Sequence, residues 1–173
     1  MNLKKNTEKS QWQRVGDKIF QLPALLCKVT YLKDSGREIV FTNGCFDLLH
    51  YGHLHYLAAA RELGDFLIVG VNSRASVGRL KGENRPINDD LTRLHTLAAL
   101  SFTDAVIEFT EDTPFELIKA LQPDILVKGG DYTLEQIVGA DLVLTGGGTV
   151  KVLPFVEGYS TTNIEEKIRA QKS

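Results

Sequence analysis

The sequence predicts an α/β fold: one Rossmann-like domain with a parallel sheet of about five strands, helices on both faces, and an N-terminal helix ahead of the first strand. Three observations predict it. Apolar, β-branched runs alternate along the chain with segments of helical periodicity. A glycine turn, Asn43-Gly44-Cys45-Phe46-Asp47, joins one such run to a helix. At 173 residues and 43% hydrophobic content the chain can bury one core, and no linker, repeat or low-complexity tract divides it.

Residues 1 to about 16 are polar and lysine-bearing, and are expected to fray. Leu22 to Lys33, with Pro23 in a first-turn position and Gly36 beyond, reads as an amphipathic helix. Residues 1–36 are therefore expected to form an extension to a main domain at 37–173. Glu38-Ile39-Val40-Phe41-Thr42 is a buried strand by composition, and Leu54, Leu57, Ala58 and Leu63 then recur at helical spacing. Further strands are expected near 66–71, 104–109, 124–127 and 149–155, and helices near 53–63, 89–100, 113–121 and 160–170. Asp141 to Thr145 is ambiguous, its apolar run suggesting a strand. A ligand should lie at the topological switch point beside the first main strand.

A net charge of −2 with mixed signs excludes a polycationic surface, so nucleic acid is not an expected partner. Cys27 and Cys45 make no disulfide framework, which fits a reducing, cytoplasmic setting. There is no signal peptide at Met1 and no apolar run long enough for a bilayer, so no membrane association is expected.

The chemistry concentrates where the first main strand hands over to its helix. The first N–H groups of a helix lack intrahelical partners and sit at the positive end of its dipole, which favours an anion such as phosphate. His50 and His53 are three residues apart, hence neighbours on the helix surface, and both can donate to one polyphosphate. Gly52 between them is expected to let phosphate oxygens approach backbone. A zinc site from His50, His53 and His55 is the weaker reading, because His55 faces another side and no cysteine pair completes a tetrahedron. Cys45 as a nucleophile is weaker still.

Three other stretches carry their own signals. Arg79, Lys81 and Arg85 fall in a glycine-bearing polar segment, expected to be a mobile loop with the composition of a lid. Val127-Lys128-Gly129-Gly130-Asp131-Tyr132 emerges from the carboxyl end of a strand, where Lys128 offers charge and Asp131 an acceptor. Ser160 or Thr161 is a suitable helix N-cap, with Glu165 placed for a capping box or first-turn dipole pairing.

The segment Asn43 to His53 resembles the signature of the His-x-Gly-His nucleotidyltransferase superfamily, whose members transfer a nucleoside monophosphate from a nucleoside triphosphate to a phosphorylated acceptor. Asn72 to Ile87, Val127 to Tyr132 and Glu157 to Ile164 further resemble the heptose 1-phosphate adenylyltransferases, in that family's order along most of the chain. One departure is Arg74, where the family usually carries an acid. The resemblance implies catalytic roles for His50, His53 and Lys81, and nucleotide binding by Thr42, Asn43, Gly44, Phe46, Arg93, Lys128, Gly129, Asp131, Ser160, Thr161 and Thr162. It further implies that Lys81 and Arg85 serve the acceptor phosphate or the lid, and that Asp141 to Thr145 is a short helix. The substrates it implies are ATP and D-glycero-β-D-manno-heptose 1-phosphate, with Mg²⁺ carried on the triphosphate, a homodimer, and a separate heptose kinase upstream. The nearest rival is a cytidylyltransferase acting on glycerol 3-phosphate or a similar alcohol phosphate. A nucleotide-binding module without chemistry is the reading from another class. A dinucleotide dehydrogenase fails because the first turn is not Gly-x-Gly-x-x-Gly.

Overall fold

A computed structural model describes residues 8–130 and 132–171. Within them the chain runs α1 (Gln11–Gly16), β1 (Ile19–Phe20), α2 (Leu22–Asp34), β2 (Ile39–Gly44), α3 (Tyr51–Arg61), β3 (Phe66–Asn72), α4 (Arg74–Lys81) and α5 (Asp90–Ala98). It continues through β4 (Ala105–Phe109), α6 (Phe115–Leu121), β5 (Ile125–Gly129), a 3₁₀ turn (Leu134–Gln136), α7 (Ala140–Thr145), β6 (Thr149–Leu153) and α8 (Thr161–Ala170). All strand pairs are parallel, in the order β1-β4-β3-β2-β5-β6.

Strand alternation divides the core into two layers. Ile39 and Phe41 of β2 face one side with Leu25 and Val29 of α2, Leu117, Ile118 and Leu121 of α6, and Val143 of α7. Val40 faces the other with Leu57 and Ala60 of α3 and Leu94, Leu97 and Ala98 of α5. Successive side chains on a strand point to opposite faces, so a fully buried strand needs both sets to be apolar. The chain crosses from β2 to β3 and β4 on one side, then returns to β5 and β6 on the other. This reversal beside β2 is where a ligand crevice opens in sheets of this type. No described helix is long and apolar enough to cross a membrane.

The expected α/β architecture is present, with three differences. The sheet has six strands, because Ile19 and Phe20 add a short edge strand to β4. Part of the stretch expected to fray is helix α1, closed by a capping box in which Ser10 Oγ accepts from Gln13 N at 3.2 Å and Gln13 Oε1 accepts from Ser10 N at 2.8 Å. The lid segment is largely helical: Ser73 caps α4 by accepting from Ser76 N at 3.3 Å, so Arg79 and Lys81 stand on a helix and not on a loop. Asp141 to Thr145 is helical, as the resemblance implied. The last strand stops at Leu153, just before Pro154, which cannot donate to a ladder.

Candidate active site

β2 ends in the turn that starts the site. Phe46 has φ of 45°, the left-handed region, and folds its ring under Gly44, where an added Cβ would stand 3.1 Å from that ring. His50 then caps α3 through its backbone, without a side-chain cap bond, so its ring is available to lean on the helix. Its imidazole stacks on that of His53, with centroids 3.9 Å apart. The Nδ1 atoms of both rings are buried without partners, which leaves the Nε2 atoms to meet a ligand. Gly52 lines the crevice, and a Cβ there would lie 3.1 Å from His50 Nδ1, so the glycine also makes room for the imidazole itself.

Burial holds His53 far down, at about 4, with the positive ends of His50 and Lys81 adding to the effect. Burial also lowers His50. Both rings are therefore neutral at pH 7, and each can donate one N–H.

Beneath the pair, Tyr56 Oη shares a 2.6 Å hydrogen bond with Thr42 Oγ1 and donates to Val127 O at 3.1 Å, tying α3 to β2 and β5. Lys128 stands across from them, half-buried, with Nζ 3.4 Å from Asn43 Oδ1 and 5.5 Å from the Tyr132 ring centroid. Burial lowers its pKa. Gly130, at φ of 111°, holds a conformation strained for any side chain, and the Phe155 ring packs over it, 2.5 Å from where a Cβ would stand. The far wall is the start of α8, where Ser160 Oγ accepts from Asn163 N at 3.0 Å.

Together these surfaces enclose a crevice of about 530 Å³, at the carboxyl ends of β2 and β5. Asn43, Gly44, Phe46, His50, His53, Lys81, Lys128, Gly129, Ser160 and Thr161 all line it. Thr42, Arg85, Arg93 and Thr162 do not, and Asp131 lies outside the described residues. Thr42 is fully buried with its hydroxyl bonded to Tyr56. Arg93 is 2% exposed and donates to Cys45 O at 2.7 Å and to Asp90 at 2.5 Å, so it braces the turn from below. Arg79 points away, to Asp112 and Thr110 O, each at 2.7 Å. Glu165 forms no capping box and instead pairs with Arg85.

Asp47 stands at the end of the same turn. It is 5% exposed and accepts from Ile87 N and Asn88 N at 2.9 Å and from Arg85 Nη1 at 3.0 Å. Burial pushes its carboxyl up, but the Asn88 and Ile87 amides and Arg85 outweigh that and hold it below the usual carboxylate value. The signal was present in the sequence: a carboxylate amid groups that attract anions needs a cation of its own. Tyr56, Phe155 and Asn163 also line the crevice and carried no such signal.

A second cavity, about 560 Å³, opens at the amino-terminal edge of the sheet near Lys33, Arg37 and Lys119. Its cations are already paired, with Asp124, Asp65 and Glu116 respectively. The chemistry converges on the first crevice.

A cytidylyltransferase-like family model matches residues 41–167, most of the chain. The chain belongs to the cytidylyltransferase-like family. The matched span of this cytidylyltransferase-like chain runs from β2 into α8 and so contains both helix starts at the crevice. Bifunctional protein HldE of Trichlorobacter lovleyi is 64% identical over 133 residues, 77% of this chain and 27% of that protein. HldE of Marinomonas sp. is 59% identical over 143 residues, 83% and 30% respectively. The chain thus spans less than a third of the length of these relatives. Among solved structures, the lipopolysaccharide core biosynthesis protein from Thermoplasma volcanium is 34% identical with a TM-score of 0.56, covering 72% of this chain and all of that one. Pantothenate synthetase from Thermus thermophilus, at 17% identity and a TM-score of 0.55 over 82% of this chain and 68% of that one, shares the fold.

Proposed function

We propose that this chain is an adenylyltransferase that transfers AMP from ATP to D-glycero-β-D-manno-heptose 1-phosphate, giving ADP-heptose and pyrophosphate. The observation that carries it is the stacked pair of neutral imidazoles at the start of α3, facing Lys81 and the start of α8 across one crevice. A site that only stored a nucleotide has no need of buried, unprotonated donors held in one geometry. The choice of acceptor rests on the HldE relatives and on the neighbour named for lipopolysaccharide core biosynthesis.

An oxygen of the acceptor phosphate attacks the α-phosphorus in line. A new P–O bond forms, the α–β bridging P–O bond breaks, and pyrophosphate leaves with its electron pair. The acceptor oxygen is already ionised at neutral pH, so no general base is required; positioning and charge stabilisation supply the rate. His50 and His53 donate from Nε2 to phosphate oxygens. Lys81, at the end of α4 and without an ion pair among the described residues, offers its ammonium from the opposite wall. Ser160 and Thr161 present the amide end of α8.

Mg²⁺ is proposed to arrive on the triphosphate; the described residues include no group of three or more His, Cys, Asp or Glu that could hold a metal ion. When bound, that ion neutralises charge on the phosphates and the leaving pyrophosphate. The protein is proposed to work as a homodimer in the cytoplasm, with a heptose kinase supplying the acceptor.

The test is pyrophosphate release with ATP and CTP, each against heptose 1-phosphate and glycerol 3-phosphate. Release only with ATP and the heptose phosphate is the expected result. Preference for CTP and glycerol 3-phosphate would establish the cytidylyltransferase instead, and ATP binding without release in any combination would leave a binding module.

A further inference from the structure

We propose that Arg85 is a positioning residue: it is the strut that holds the start of α8 against the crevice. The argument begins with what it touches. One guanidinium nitrogen donates to Asp47 Oδ2 at 3.0 Å and the other to the Glu165 carboxylate. Two acids share this one base, so little of its charge remains for a phosphate, and Arg85 does not line the crevice. Asp47 is itself fixed, since its remaining bonds go to the Ile87 and Asn88 amides and it follows the turn that leads to His50. Glu165 sits just past the first turn of α8 with its side chain 17% exposed.

Apolar packing holds α8 only lightly, through the half-buried Ile164. The helix has no buried residue, and a cavity of about 290 Å³ separates its first two turns from Leu49, His50 and Tyr51. Arg169 also approaches Glu165, at 3.9 Å, but from a side chain 82% exposed and on the same helix, so it anchors α8 to nothing. Apart from the ring of Tyr159, just ahead of the helix, whose centroid lies 5.0 Å from that of Tyr51, the connection from α8 to the rest of the site passes through Glu165, Arg85 and Asp47. Losing it lets Ser160, Thr161 and Asn163 swing away while His50 and His53 stay in place. This role rests on the proposed function only in supposing that the crevice takes a triphosphate.

Amide hydrogen exchange on Glu165→Gln and Arg85→Lys tests it apart from catalysis. Exchange across residues 161–170 should quicken by about tenfold in Glu165→Gln, with residues 51–61 unchanged. Arg85→Lys should give an intermediate result, because an ammonium cannot serve two carboxylates in the fork geometry of a guanidinium. In calorimetry with ATP, affinity should fall in the same order, and in turnover KM for ATP should rise more than kcat falls. Unchanged exchange in α8 overturns the proposal. So does Arg85→Ala with lost turnover and normal α8 protection, which makes Arg85 a phosphate ligand. If the wild type releases no pyrophosphate while α8 still loosens in the variants, the strut stands and the transferase assignment falls.

Discussion

Two helix starts converge on one crevice, and they are held in opposite ways. α3 buries Gly52, Leu57 and Ala60 and is pinned through Tyr56 to both β2 and β5, so its two imidazoles are as fixed as the core. α8 has no fully buried residue, and its ion-paired link to the site is one arginine. The difference divides the labour. Groups that must meet charge developing in a transition state need fixed geometry, whereas groups that admit and release a nucleotide benefit from an element of low local stability. The comparison predicts that damage at α3 appears in the chemistry and damage at α8 in binding.

The sharpest break is at His53. His53→Ala should lower kcat by about 10²–10³-fold, on the scale of losing one oxyanion donor, with an unchanged denaturation midpoint. A variant with near-normal turnover and intact fold would remove the chemical half of the comparison. Next is Asp47, which anchors the strut from inside. Asp47→Ala strands Arg85 and two amides, and urea denaturation should show a loss of about 3 kcal/mol. A loss under about 0.5 kcal/mol, typical of an exposed position, would mean that water replaces the carboxylate and that the strut has no fixed foot.

Gly52→Ala probes the packing of the pair. The added methyl meets the His50 ring, so the ring must shift by a few tenths of an ångström, and turnover should fall by about tenfold with little change in stability. Ser160→Ala belongs to the other half. It removes the cap of α8, worth about 1 kcal/mol to that helix, and should raise KM for ATP while leaving the global unfolding transition where it was. If Ser160→Ala lowers kcat as much as Gly52→Ala does, the two starts share the chemistry equally.

This division was half legible in the sequence. The turn, the histidines and β2 to β5 could be read because buried parallel strands need continuous apolar runs, and each such run ends in its turn signal. α4 could not, since only Ser76 and Val77 are buried and its polar surface resembles a loop. Arg85 and Arg93 were recognisable as cations near phosphate, but which anion an arginine meets is decided by tertiary packing. Here Arg85 meets Asp47 and Glu165, from stretches far apart in sequence. β1 was invisible because two residues carry no period.

Acid reaches the α3 half without any mutation. His53 titrates at about 4 in the folded chain against 6.5 when unperturbed. The unfolded chain therefore binds the proton first, and stability must fall as pH drops from 6.5 towards 4. His50, also lowered, contributes in the same direction. Asp47 is lowered from 3.8, so the stability it contributes is complete above that value and is lost only below it. Between pH 6 and 4.5, then, the cost falls on α3 while Asp47 keeps its charge. Urea denaturation compared at those two values should show a fall in global stability that His53→Gln flattens. A fall of equal size in His53→Gln would show that a group other than His53 carries it.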